Sequence, residues 1–138
     1  SYIERIKDLK NIKYITIHLE IEENIQNTLN KIKEYGFKRG ISIKPNTDIN
    51  KLIPYLNDID LILIMTVEPG QGGQPFLENS PTRIKEIKNL IKDKNILLEV
   101  DGGINDKTIK LLKDVDIAVV GSYITTSDNM IEKVKTLV

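Results

Sequence analysis

Two kinds of apolar segment alternate along the chain, and this alternation limits the fold more than any other feature. Short runs rich in branched residues begin at positions 14, 40, 61, 96 and 117, and a segment with helical spacing of apolar residues follows each. Strict alternation of strand and helix implies parallel strands joined by right-handed crossovers. The sequence therefore predicts an α/β fold, in a single domain over residues 1–138.

The predicted elements have definite bounds. We expect strands at 14–19, 40–44, 61–65, 96–100 and 117–120. Helices are expected at 2–9, 22–35, 48–56, 81–92, from Asp106 onward, and at 128–137. Two architectures fit this pattern, an open doubly wound sheet and part of a (β/α)8 barrel. A dinucleotide fold is the weaker option, because no Gly-x-Gly-x-x-Gly follows the first strand.

A glycine-rich loop follows the third strand and is a candidate anion site. The loop contains Gly70, Gln71, Gly72 and Gly73. Glycines let the backbone approach a ligand closely and leave N–H groups free to hold an anion. Gly121 and Ser122, after the fifth strand, form a second candidate. Each of these segments could equally be a simple turn.

Asp101, Gly102 and Gly103 close the fourth predicted strand. A strand-end carboxylate beside exposed backbone N–H groups can exchange protons or bind a metal ion. The alternative is that Asp101 caps the next helix or braces a tight turn, although Asn105 and Asp106 are better placed as caps.

Other strand-end residues are ambiguous. His18 is the only histidine, so this chain alone cannot form a multi-histidine metal site. We interpret it as a pocket wall, with Glu20 accepting its N–H. Lys44 could form a Schiff base, but its stem could also cover the rim of the sheet, and Pro45 favours a rigid turn there.

Composition excludes several functions. Lys+Arg and Asp+Glu both count 20, and cysteine is absent. The balance gives no reason to expect binding to nucleic acid or an anionic membrane, and no apolar run reaches the roughly 20 residues of a membrane span. We therefore expect a cytoplasmic protein.

The strand-end motifs together resemble the ribulose-phosphate 3-epimerase family. They are Ile-His-Leu-Glu at 17–20, Ile-Lys-Pro-Asn-Thr at 43–47, the run from Met65 to Gln74, Leu-Glu-Val-Asp-Gly-Gly-Ile at 98–104, and Val-Gly-Ser at 120–122. Their order and spacing match along essentially the whole chain.

The resemblance implies a (β/α)8 barrel that interconverts D-ribulose 5-phosphate and D-xylulose 5-phosphate. Two aspartates on opposite sides of the sugar act as acid and base at C3, and a divalent cation of the Zn, Fe, Mn or Co type steadies the enediolate. Asp101 is similar to one acid/base aspartate and metal ligand. Residues 70–73, Gly102, Gly103, Gly121 and Ser122 match substrate and phosphate contacts.

Other parts of the family pattern are not matched. Three further βα units, with the second aspartate and two metal-binding histidines, precede the strand at Tyr14 in the family. We therefore expect an incomplete barrel of five strands with little or no epimerase activity. Its open edges would favour a homo-oligomer. The alternatives are an epimerase of allulose 6-phosphate and a non-catalytic phosphate-binding half-barrel.

Overall fold

A computed structural model of the protein describes residues 5, 11–67 and 76–138. Within these residues five strands form one sheet, and each neighbouring pair is parallel. The strands are β1 (Tyr14–His18), β2 (Lys38–Ile43), β3 (Leu61–Met65), β4 (Leu97–Asp101) and β5 (Ile117–Val119). The predicted parallel α/β fold is confirmed.

The spatial order of the strands is the same as their order in the chain. A doubly wound sheet would reverse direction at a switch point, whereas a barrel adds each strand next to the previous one. The order therefore decides between the two predicted architectures. The chain folds as part of a (β/α)8 barrel.

Helices connect the strands. They are α1 (Ile25–Glu34), α2 (Ser80–Ile91), α3 (Ser122–Thr125) and α4 (Met130–Lys135), with 3-10 helices at Ile49–Tyr55 and Thr108–Leu111. Asp48 caps the first of these 3-10 helices, and its carboxylate accepts a hydrogen bond from the Asn50 amide at 2.9 Å. None of the described helices is long and apolar enough to cross a membrane.

Two helix predictions differ from the structure. The helix expected from Asp106 is one 3-10 segment, and its cap is Asn105, whose Oδ1 accepts from the amides of Lys107 and Thr108 at 2.9 Å. The helix expected at 128–137 is shorter and is capped by Asn129. The helix predicted at 2–9 lies outside the described residues, except for the helical Arg5.

The two faces of the sheet have different environments. Side chains alternate between faces along a strand, and paired residues of neighbouring strands share a face. Ile62 and Leu98 are paired across one face, are fully buried, and belong to the same apolar cluster as Ile84 and Ile87 of α2. The opposite face carries the row Ser42, Leu63, Glu99 and Ile117.

The outer strands are less buried than the central three. Ile117 and Val119 of β5 are 36% and 38% exposed, and four of the five β1 residues are half-buried. By contrast Ile62 and Ile64 of β3 are fully buried. The core of the chain therefore lies between β2, β3, β4 and the helices that pack on them.

Candidate active site

The carboxyl ends of the strands bring the predicted site residues to one edge of the sheet. Met65 is paired with Asp101, and Asp101 is paired with Val119. All three share the face that does not pack against the helices. Asp101 is exposed, and it makes no side-chain hydrogen bond within the part of the chain that the structure describes. Its carboxylate therefore lies at the surface, at the carboxyl edge of the sheet.

Thr66 joins the loop after β3 to the loop after β4. Its side chain is fully buried, and its amide donates to the Asp101 carbonyl at 2.9 Å. The Thr66 hydroxyl lies 3.0 Å from the same carbonyl oxygen and also donates to the Gly102 carbonyl. The Thr66 carbonyl accepts from the Leu77 amide at 2.9 Å. One buried threonine thus holds the two carbonyls that follow the Asp101 Cα atom and, through Leu77, the chain just after the glycine loop.

Gly102 and Gly103 need to be glycine for steric reasons. Their φ angles are +122° and +71°, which L side chains rarely adopt. A Cβ at Gly102 would overlap Val67, and one at Gly103 would overlap the backbone of Phe76. Val67 and Phe76 flank residues 68–75, so the stems of the glycine loop pack directly on the Gly102–Gly103 turn.

Gly70, Gln71, Gly72 and Gly73 themselves lie outside the described residues. Their predicted role as substrate contacts stays a prediction. The structure fixes only the two points between which their loop runs, and both points are next to the turn that follows Asp101.

The capping alternative for Asp101 is not supported by the local geometry. Asn105 caps the segment that follows, and the Thr108 hydroxyl donates to the Gly103 carbonyl at 2.9 Å. These bonds close the turn without any contribution from the Asp101 carboxylate. A role for Asp101 in proton exchange or metal binding stays a prediction.

Glu99 is a polar residue on the same face that the sequence analysis missed. It stands two residues before Asp101 and is half-buried. Burial raises the pKa of Glu99, and the nearby charge of Asp101 raises it further. The buried neighbours Leu98 and Val100 could have revealed it, because strict alternation assigns Glu99 to the face of Asp101.

His18 and Glu20 have different partners from those predicted. Nδ1 of His18 lies 2.8 Å from the hydroxyl of Ser42, which is buried and paired with it across β1 and β2. Glu20 accepts from the Lys44 amide at 3.1 Å and from the Thr47 hydroxyl. The expected bond from His18 to Glu20 is therefore wrong: among the described residues His18 bonds to Ser42, and Glu20 bonds to Lys44 and Thr47.

Glu20 is held in its charged form by these bonds. Burial acts to raise the pKa of Glu20, but hydrogen bonds from Thr47 and from backbone amides, with the charge of Lys44, outweigh it. The net effect lowers the pKa of Glu20.

Arg83 is a second residue that the sequence analysis missed. It lies in α2 and donates to the Thr47 carbonyl at 2.8 Å and to the Lys44 carbonyl at 3.1 Å. Burial lowers its pKa, and the charges of Glu86, Asp48 and Glu20 oppose that shift. These contacts span 36 and 39 residues of sequence, so no local pattern indicates them.

Gly121 stands in open space at the end of β5. A Cβ built there would meet no atom within 4 Å, and its φ is not positive. Its carbonyl accepts from the amides of Ile124 and Thr125, which any residue type could provide for. Ser122 begins the short helix α3. The local fold therefore gives no reason for a glycine at position 121.

The described residues provide only part of a binding site for the divalent cation that the family resemblance implies. Among the described residues no group of three or more His, Asp or Glu side chains could hold a metal ion. Asp101 can supply one carboxylate ligand, and His18 is already bonded to Ser42. These residues alone do not fit a metal site.

The strand order and the position of the site define the class of protein. Parallel (β/α) barrels place their active sites at the carboxyl ends of the strands. Asp101, Gly102, Gly103 and Gly121 lie at these ends. A solved structure of Mycobacterium tuberculosis tryptophan synthase has the same fold, with a TM-score of 0.66 over 99% of this chain and 51% of that chain. At 15% identity this likeness concerns the fold alone.

Sequence comparison identifies the family within that class. The model of the ribulose-phosphate 3-epimerase family matches residues 1–125, and the chain belongs to this family of isomerases. Ribulose-phosphate 3-epimerases from Buchnera aphidicola subsp. Baizongia pistaciae and Helicobacter pylori strain J99 are each 42% identical over 86% and 85% of this chain. The Bacillus subtilis enzyme is 36% identical over 80% of it.

The chain spans about half the length of these relatives. The matched part covers 54% of the Buchnera protein, 56% of the Helicobacter protein and 53% of the Bacillus protein. Family membership therefore rests on the five βα units present here.

Proposed function

We propose that this chain binds D-ribulose 5-phosphate and D-xylulose 5-phosphate at the carboxyl edge of its sheet, and that Asp101 exchanges the proton at C3. The observation that carries the proposal is the junction of Asp101, Gly102 and Gly103 with the stems of the glycine loop. Membership of an epimerase family supports the choice of substrates.

The proposed chemistry is one half of an epimerisation. The Asp101 carboxylate takes the proton from C3, and the electron pair moves into the neighbouring carbonyl to give an enediolate. Net inversion requires a second acid on the opposite face of the sugar. Asp101 can return a proton only to the face from which it took one.

The phosphate is assigned to backbone groups. We propose that residues 70–73 and the Gly102–Gly103 turn offer N–H groups to the sugar phosphate, with Gly121 and Ser122 as further contacts. The open surroundings of Gly121 support this assignment, because a ligand that approaches the backbone explains a glycine that the fold does not require. A cytoplasmic location and a homo-oligomeric state are parts of the same proposal, whereas a divalent cation would need ligands beyond Asp101.

Deuterium exchange at C3 tests the proposal. The 138-residue polypeptide is incubated in D2O with each pentulose phosphate, and proton NMR follows the C3 signal. We expect loss of the C3 proton from one of the two sugars, with much slower formation of its epimer. The variant Asp101→Asn should abolish the exchange.

Two results would contradict the proposal. One is the absence of exchange in both sugars, and the other is exchange that Asp101→Asn leaves unchanged. Allulose 6-phosphate is included as a comparison, and faster exchange on the six-carbon sugar would reassign the substrate.

A further inference from the structure

A single turn after β2 is held by side chains from both neighbouring βα units. The turn comprises Lys44, Pro45, Asn46 and Thr47, and the Thr47 amide closes it by donating to the Lys44 carbonyl at 3.1 Å. Pro45 is buried, while Asn46 is exposed. The turn therefore stands at the carboxyl edge of the sheet with its proline anchored in the fold.

Two side chains of opposite charge form hydrogen bonds with the two sides of this turn. Glu20, after β1, accepts from the Lys44 amide at 3.1 Å and from the Thr47 hydroxyl. Arg83, in the helix after β3, donates to the Lys44 carbonyl at 3.1 Å and the Thr47 carbonyl at 2.8 Å. The backbone of Lys44 is thus fixed at its N–H by a carboxylate and at its C=O by a guanidinium. Such charge-assisted bonds are roughly twice as strong as neutral ones.

Lys44 lies on the same face of the sheet as the candidate site. Ser42 lies on the face of the sheet that does not pack on the helices, paired with His18 and Leu63. Lys44 comes two residues later, so alternation assigns it to the same side. Ile43 is paired with Ile64, which puts Lys44 level with Met65 and hence with Asp101.

The need to close a turn does not explain all the contacts of Glu20 and Arg83 with it. One surface hydrogen bond from Thr47 to Lys44 would suffice to close a turn that contains proline. Here two charged side chains from different βα units add to it, and among the described residues the buried Arg83 Nε has no hydrogen-bond partner. Burial of this polar atom costs free energy, so closing the turn does not by itself account for the arrangement.

We propose that Arg83 and Glu20 are positioning residues that fix Lys44 at the rim of the sugar-phosphate site, where its ammonium group binds the anionic substrate. The inference rests on the proposed function for the identity of the ligand. The hydrogen bonds of Arg83 and Glu20 to the turn do not depend on the identity of the ligand.

A double-mutant cycle on ligand binding tests the inference. The variants are Arg83→Met, Lys44→Met and the double variant, and NMR titration gives the dissociation constant for D-ribulose 5-phosphate. We expect Lys44→Met to weaken binding about tenfold, because it removes the ammonium group that contacts the ligand. Arg83→Met should weaken it about three- to fivefold, because it only loosens the turn that carries this group. The double variant should bind no more weakly than Lys44→Met alone.

Arg39→Met is the matched control. Arg39 also pairs with carboxylates, those of Asp58 and Asp60, but at the opposite end of the sheet. It should leave the dissociation constant unchanged. Additive losses in the double variant would overturn the inference, because Arg83 would then not act through Lys44. Equal weakening by Arg39→Met would also overturn it.

Amide hydrogen exchange provides a measurement without ligand. Arg83→Met should speed hydrogen exchange at the Thr47 and Lys44 amides and leave the β3 amides protected. Arg39→Met should not change the exchange rates at Thr47 and Lys44. An unchanged exchange rate at the Thr47 amide would contradict the claim that Arg83 fixes the turn. If the wild-type chain binds no pentulose phosphate at all, the proposed function and the ligand role of Lys44 both fail, and exchange still decides whether Arg83 holds the turn.

Discussion

Single residues in this chain hold the backbone around Asp101, and their effects can be measured one at a time. Thr66 bonds to the carbonyls of Asp101 and Gly102, and Gly103 lies against Phe76. Neither contact involves the Asp101 carboxylate. At the residue scale, the fold therefore positions the proposed catalytic group through its main chain.

Replacement of Thr66 tests this support. Thr66→Val keeps the shape of the side chain but removes the hydroxyl that donates to Gly102. We expect unfolding free energy to fall by about 1–2 kcal/mol, because a buried carbonyl loses its donor. Thr66→Ser keeps the hydroxyl and should bind pentulose phosphate like the wild type. Urea titration measures the first effect and NMR titration the second; equal binding by both variants would contradict the role assigned to the hydroxyl.

The glycines of the site should fall into two groups. Gly103→Ala places a Cβ against the Phe76 backbone at a positive φ, so we expect a loss of about 1–3 kcal/mol in stability. Gly121→Ala meets no atom within 4 Å and should change stability by less than about 0.5 kcal/mol. Thermal unfolding measures both. A severe loss in Gly121→Ala would show that this glycine is required by the fold rather than by a ligand.

Glu20 should make stability depend on pH. Its pKa is lower in the folded chain than the ordinary value of 4.5, so the stabilisation is complete above pH 4.5 and is lost as pH falls through the folded-state pKa. Glu20→Gln should therefore be less stable than the wild type at pH 7, with the difference shrinking under acid conditions. Urea titrations at several pH values measure this. A constant difference across the range would contradict the lowered pKa.

At the scale of the elements, the sequence predicts strand positions well and strand ends less well. β3 has the predicted bounds, because a run of five apolar residues between turn signals is too short for a typical helix and favours a buried strand. β2 begins at Lys38, two residues before the prediction, because its charged start pairs with Tyr14 and Ile15 of β1. That extension is set by the neighbouring strand, which local composition does not encode.

The same limit applies to the candidate site. Asp101, Gly102 and Gly103 could be located from sequence, since a strand-end aspartate before two glycines is a local signal. Thr66 and Arg83 could not, because their partners lie 35 to 39 residues away along the chain. Only the parallel register brings them together.

The opposite end of the sheet has its own supports, which should affect stability alone. The Asp60 carboxylate accepts from the Arg39 amide at 2.8 Å, so it ties the start of β3 to the start of β2. Asp60→Ala should lower the unfolding free energy by about 1–2 kcal/mol, and Asp60→Asn by less, because an amide oxygen still accepts. Pentulose phosphate binding, measured by NMR, should not change. Weaker binding in Asp60→Ala would contradict this separation of stability from function.

At the scale of the whole molecule, the sheet ends at β5, whose apolar side chains are partly exposed. Ile117 and Val119 are more than a third exposed, and helix α4 exposes Met130 and Ile131. Parallel strands with unpaired edges pair readily with other chains. The predicted homo-oligomer therefore has a physical basis in β5, while its existence stays a prediction.

The central claim is that pentulose phosphate binds at the carboxyl edge of an arc of five parallel strands. Nitrogen–proton NMR spectra of the 138-residue chain, recorded during titration with D-ribulose 5-phosphate, test it most directly. We predict shifts in the amide signals of Gly102, Gly103 and Gly121, with those of Arg39 and Leu98 at the other end unchanged. Shifts confined to the far end, or no saturable shifts at all, would contradict the account.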